Sequence, residues 1–361
     1  MPITVNYFQI NLCRFLFAAC YLLLSQLVVA ETCEGDNIVL PDSSLLMKTV
    51  EPSATTGDAH AQVLMGVAYL RGKGVELDKS KGLSWLEKSS TAGSSEGQYL
   101  LGQYYFQDGK ANDEDLRKAV EYFHKSAAQD CPAGLLSFGM FTATGKGVSK
   151  NTTEGLQMIT KAADAGYLEA QWWLGTLMLT GELGAVKDPK AGFNWIKQAA
   201  DAGYSAAGIS LANLYFSGIG TQLNREAALT LLKSVYNKHD EQAPMAAYFL
   251  GWIYMEGKGV PVDLYEAFHW MVIAASFNAS DSLQRLKTLT EKLPKQQLAT
   301  ECSVYMDPLF ASNGAKEFRH VSASEKIILL NTQPTFYEVY FVNKSLLGFI
   351  PQQCLKKLNA N

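Results

Sequence analysis

Five histidines, six cysteines and scattered carboxylates are the residues of this 361-residue chain that could do chemistry. A metal centre or hydrolytic site needs such groups gathered at fixed spacings. His60, His124, His239, His269 and His320 stand at unrelated places, and the chain has no His-Glu-x-x-His string, no paired-cysteine ligand spacing and no nucleophile elbow. The Gly-x-Gly turns at Gly72-Lys73-Gly74 and Gly145-Lys146-Gly147 join two helical patterns, whereas a phosphate loop joins a strand to a helix. Their glycines serve the turn. The expectation is a chain with no catalytic residues, no metal and no cofactor. With a formal charge of -4 and both signs interspersed, it offers no basic stripe to a phosphate backbone, so nucleic acid is excluded as a partner.

What the cysteines can do depends on compartment. Residues 1–30 carry one charge, Arg14, then the apolar run Phe15 to Val29 and small residues up to Ala30. That is a signal-peptide layout with cleavage after Ala30, set against a membrane anchor, for which the run is short, and a lipoprotein at Cys20, which Phe17 fits poorly. The mature chain is then exported, periplasmic or secreted, with no membrane span. It keeps Cys33, Cys131, Cys302 and Cys354, an even number in an oxidising compartment. Three pairings are open. The expected one joins Cys33 with Cys131 and Cys302 with Cys354, against the alternative of free buried thiols.

The elements that must carry these residues are set by an internal repeat. Leu-Gly or a near relative recurs at Met65-Gly66, Leu101-Gly102, Phe138-Gly139, Leu174-Gly175, Leu211-Ala212 and Leu250-Gly251, at intervals of about 36 to 39 residues. Ala61, Met65 and Tyr69 share one helical face, and a glycine-rich turn follows. In a second helix a small residue precedes a bulky one by three: Gly82 with Trp85, Ala119 with Tyr122, Gly155 with Met158, Gly192 with Trp195, Ala267 with Trp270. The small residue lets paired helices approach, and the bulky one fills the groove beside it. The fifth unit departs, with Ala212 for glycine and Leu231 for the aromatic, and the fourth has an inserted loop from Gly181 to Gly184.

These residues resemble the Sel1-like repeat family, relatives of the tetratricopeptide repeats, over six tandem units in residues 57–278. The resemblance implies an all-α, right-handed superhelical solenoid of helix-turn-helix repeats that binds proteins or peptides. Residues 31–56 read as an N-terminal cap. Residues 279–302 read as capping helix interrupted at Pro294, with Leu283, Leu286, Leu289 and Leu293 as its apolar positions. Residues 303–361 form a small β-rich module with strands in 326–330, 336–342 and 346–351; its end resembles a bacterial SH3-like barrel, with a plain three-stranded sheet as the alternative.

A binding site is sought where first-helix positions vary between units at offsets of zero, four, seven and eleven, a single stripe pointing away from the packed face. In a solenoid that stripe lines the concave surface, and it includes His60, Glu96, Ser137, Thr144 and Glu169. The candidate partner-binding residues on it are Leu64, Val67, Leu100, Gln103, Met140, Trp173, Thr176, Asn213, Phe249, Trp252 and Glu256, with Trp173, Phe249 and Trp252 as aromatic anchors. The alternative is that these aromatics pack on the adjacent repeat. The functional expectation is an exported scaffold or adaptor for a protein or peptide. Its competitor is a cell-wall-associated enzyme or a regulator of one, through which peptidoglycan enters as a partner.

Overall fold

The computed structural model describes Cys33, residues 38–107, 113–277 and 282–292, and the strand residues 296–297, 302–304, 319–321, 326–332, 336–341 and 346–351. The chain forms two compact units, residues 1–187 and 188–361. The signal peptide, the 108–111 turn and Cys354 lie outside the described residues.

Unit 1 opens with α1 (Ser43–Leu45), a π-helical turn (Leu46–Val50) and α2 (Glu51–Thr55), together a short helical cap. Leu46 and Ala54 from it bury against Ala61, Met65 and Ala68. The repeats of this unit follow as α3 (Ala59–Arg71), α4 (Lys79–Thr91), α5 (Ser95–Gln107), α6 (Asp113–Ala127), α7 (Pro132–Thr144), α8 (Thr152–Asp164) and α9 (Leu168–Thr180). First helices α3, α5, α7 and α9 adjoin one another in one layer, and each second helix packs on its own first helix and the next. Within unit 1 this is the expected solenoid stacking of helix pairs.

The local reasons are those of caps and seams. At the N-termini of α4 and α8, Asp78 and Asn151 accept from the third residue on, Lys81 N at 3.0 Å and Glu154 N at 3.2 Å. First helices end on left-handed glycines, Gly72 at φ 62° and Gly145 at φ 79°. The small residues of the motif lie where paired helices cross: a Cβ on Gly155 would stand 2.4 Å from the Gly139 carbonyl oxygen. No side chain fits there. The inserted fourth-unit segment forms a 3-10 turn, Glu182–Gly184, laid against α8.

Cys33 is joined to Cys131 by a disulfide with Cα atoms 5.5 Å apart, across 98 residues of sequence. Cys131 is also the N-cap of α7, its sulfur accepting from Gly134 N at 3.5 Å, so the bond fastens the N-terminal segment to the start of the third repeat.

Unit 2 contains α10 (Pro189–Asp201), α11 (Ser205–Ser217), α12 (Arg225–Tyr236), α13 (Ala243–Glu256), α14 (Leu264–Ser276) and α15 (Ser282–Lys292). Its core runs through Ala228, Leu232, Ala246, Leu250 and Ala274, and Leu286 and Leu289 of α15 cap it against α14. Among the described residues six strands follow: β1 (Gln296–Gln297), β2 (Cys302–Val304), β3 (Arg319–Val321), β4 (Lys326–Thr332), β5 (Phe336–Phe341) and β6 (Leu346–Pro351). They make an antiparallel sheet in the order β1-β4-β5-β6 and a separate β2-β3 pair. Two expectations change here. The capping helix ends at Lys292, and β1 and Cys302 of β2, expected within helix or its edge, are strands. A proline at 294 removes a helical donor, and the polar pair Gln296–Gln297 finds its backbone partners in Ile327 and Lys326 of β4.

Candidate functional site

On the first-helix layer of unit 1, α5, α7 and α9 enclose a groove of about 480 Å³. Its walls include Gln103, Ser137, Met140, Thr144, Glu169 and Trp173, all members of the variable stripe. Its size suits a few side chains of a bound segment. The floor is aromatic and tightly tied: Phe141 meets Phe123 at 5.6 Å and Phe106 edge-on at 5.2 Å. Lys146, the middle residue of a Gly-Lys-Gly turn, lies 4.9 Å over the Phe106 ring and brings a cation to the rim.

The polar groups are held in place. Gln103 donates to the Tyr99 hydroxyl one turn before it. The Thr144 hydroxyl donates to the Met140 carbonyl at 2.7 Å, and Glu169 accepts from the Tyr167 hydroxyl at 3.4 Å. Trp173 is half-buried and tilts on Trp172 at 5.0 Å, which fixes its plane. An anchored ring with one side open is the kind of group that dominates interface energies. The groove thus presents an apolar floor, carbonyl and amide partners, and a cation and a carboxylate at different places on its wall.

The stripe is less open than its spacing predicts. Val67 and Leu100 are 3% and 8% exposed, and Glu96, on the same stripe, is 2% exposed, with His60 Nδ1 3.4 Å from its Oε2. They belong to the packing, because α3 adjoins α5 and covers those positions. Leu64 and Thr176 are half-buried, and the Thr176 hydroxyl is turned back onto the Trp172 carbonyl at 2.8 Å. In unit 2, Asn213 and Glu256 are exposed, while Phe249 and Trp252 are half-buried against the helical core. Lys258 stacks 3.8 Å over Trp252. Both rings pack on the helical core of unit 2. Sequence reasoning did not reach Tyr99, Phe106 and Lys146; the signal available was that Phe106 lies a turn beyond Gln103, and Lys146 at the exit of a first helix.

The Sel1 repeat family matches the chain six times, at residues 59–94, 95–131, 136–167, 168–204, 207–236 and 244–276. The chain belongs to the Sel1 repeat family. Proteins of this family are generally protein-interaction scaffolds. The chain is similar to a Sel1 repeat protein from Oxalobacter formigenes, 25% identical with a TM-score of 0.53, over 65% of this chain and 97% of the other. It shares its fold with c5321, a protective antigen of uropathogenic Escherichia coli, at 24% identity and a TM-score of 0.52, over 70% of this chain and 53% of that one. The uncharacterised protein NMB1327 of Neisseria meningitidis serogroup B is 27% identical over 246 residues, 67% of this chain. This chain spans 48% of that relative's length. Among the described residues no helix is long and apolar enough to cross a membrane, and no group of histidine, cysteine and acidic residues could hold a metal ion.

Proposed function

We propose that this Sel1 repeat protein is an exported adaptor that grips a peptide segment of a protein partner in the groove between α5, α7 and α9. The observation that carries the reading is the coincidence of the groove with the variable stripe: six of its wall residues are positions that the repeat leaves free to change. Packing fixes the motif residues of each helix, so side chains that differ from unit to unit at one exposed face are free to serve recognition. Trp173 and Met140 supply the apolar anchor sites, and Gln103, Ser137 and Glu169 supply hydrogen-bonding groups beside them. Export is supported by the signal-peptide layout of residues 1–30 and by the Cys33–Cys131 disulfide, a bond that persists in oxidising compartments.

Selection of peptides from a displayed library on the purified chain tests the groove. Enriched peptides should lose at least about tenfold in affinity with Trp173→Ala, the mark of an aromatic hot spot. Peptides that bind the Trp173→Ala and Met140→Ala chains unchanged would remove the groove as the site. N-terminal sequencing of protein recovered from the cell envelope or medium should begin at Glu31.

A further inference from the structure

In repeat 2 the tyrosine of the first helix stacks on a ring from the second helix, and in repeats 1 and 6 the matching tyrosine and ring border one apolar cluster. Tyr69 and Trp85 share one apolar cluster. Tyr105 and Tyr122 stack with centroids 5.8 Å apart and planes 2° from parallel. Tyr254 packs against the unit 2 core cluster that contains Trp270, whose ring meets Tyr236 edge-on at 5.0 Å. The fifth repeat keeps the tyrosine, Tyr215, and has Leu231 where the ring would be. A cleft of about 530 Å³ opens at that place, bounded by Tyr215, Leu211 and Leu231, with Lys197 and Asp201 of α10 on one side and Glu226 of α12 on the other.

The walls define what would fit. Leu231 and the Tyr215 ring, over the buried Leu211, offer apolar and π surface of the kind that takes a second ring in repeat 2, and Phe193 already braces Tyr215 edge-on at 5.6 Å. The charges are not balanced. Lys197 is paired with Asp201 through a short hydrogen bond, which holds its ammonium above the usual lysine value, whereas no described residue pairs with the Glu226 carboxylate. The cleft therefore carries a net negative charge beside an aromatic platform, with Glu226 open to solvent in the first turn of α12.

We infer that this cleft is a second binding site, one that receives an aromatic side chain of a partner segment with a positively charged residue next to it. The incoming ring takes on Tyr215 the place that Tyr122 takes on Tyr105 in repeat 2, and the adjacent cation faces Glu226. The site lies wholly in unit 2 and does not depend on the groove of unit 1.

Titration of the full chain, carrying methyl-labelled leucine and methionine, with N-acetyl-Lys-Trp-amide tests it. The methyl signals of Leu211 and Leu231 should shift saturably, and N-acetyl-Glu-Trp-amide should bind at least fivefold more weakly. Leu231→Trp, which supplies the missing ring from within, should reduce binding at least tenfold, read at Leu211, with helicity and unfolding midpoint retained. Leu231→Phe gives the same reading should the tryptophan variant fail to fold. Glu226→Gln should bring the two dipeptides within twofold of each other. Trp173→Ala should change none of this, which separates failure here from failure of the groove. Absence of saturable shifts at Leu211 and Leu231, undiminished binding by the filled variants, or shifts confined to Met140 would overturn the proposal.

Discussion

Repeats 3 and 5 are built on one plan and differ at the seam. In repeat 3 the helices cross through Gly139 and Gly155, and an added Cβ on Gly155 would also stand 2.6 Å from the Cβ of Ala143. In repeat 5 the matching positions are Ala212 and Ala228, both buried, and α11 and α12 are less closely apposed than α7 and α8. The start of repeat 3 is further pinned by the Cys33–Cys131 bond. The difference shows two uses of the same motif. A glycine seam closes the helix pair on itself, while an alanine seam with Leu231 in place of a ring leaves a cleft beside Tyr215.

The largest test of that contrast is the disulfide. Cys131→Ser with Cys33→Ser should lower stability to urea by about 2–5 kcal/mol, as loss of a native bond closing a long loop does. A loss confined to a few tenths would mean that repeat 3 owes its rigidity to the seam alone. Next comes the seam. Gly155→Ala should cost about 1–3 kcal/mol, because backbone and not a flexible side chain occupies the space, whereas Ala228→Gly should cost about 1 kcal/mol from helix propensity. Equal costs in the same urea titrations would erase the difference between the two repeats.

Smaller still is a cap that the two repeats share in kind. Asn151 caps α8 and Asn224 caps α12, the latter accepting from Ala227 N at 3.0 Å. Alanine at either should cost about 1 kcal/mol, measured as a shift in unfolding midpoint, and a much larger loss at Asn151 would show that cap and glycine seam act together. The smallest expected effect is Leu231→Trp, within about 0.5 kcal/mol of the parent because the new ring enters open space.

The repeat register was legible because packing imposes it: Met65, Leu101 and Leu250 are buried at the seams, and the residue following each is the glycine that lets the second helix approach. The Cys33 with Cys131 pairing was legible as one of three options, and the structure forms it. Spacing could not tell which stripe residues stay open. Val67 and Leu100 have the same helical phase as Gln103 and Met140, and only the approach of neighbouring first helices decides that two are covered and two line a groove. The groove's floor was hidden for a related reason, since Phe106, Phe123 and Phe141 come from three helices and meet only when the repeats stack. At the far end, alternation marked β4 to β6, while the two-residue strand β1 is too short to leave a periodic signal.

The account stands most directly on where a bound segment lies. A photoreactive benzoylphenylalanine placed at Ser137, in the groove, and separately at Gln157, on the second helix of the same repeat, reports it with peptides selected on the parent chain. Crosslinks from Ser137 and none from Gln157 are the predicted result. Crosslinks from Gln157 alone, or equally from both, would contradict recognition by the first-helix groove.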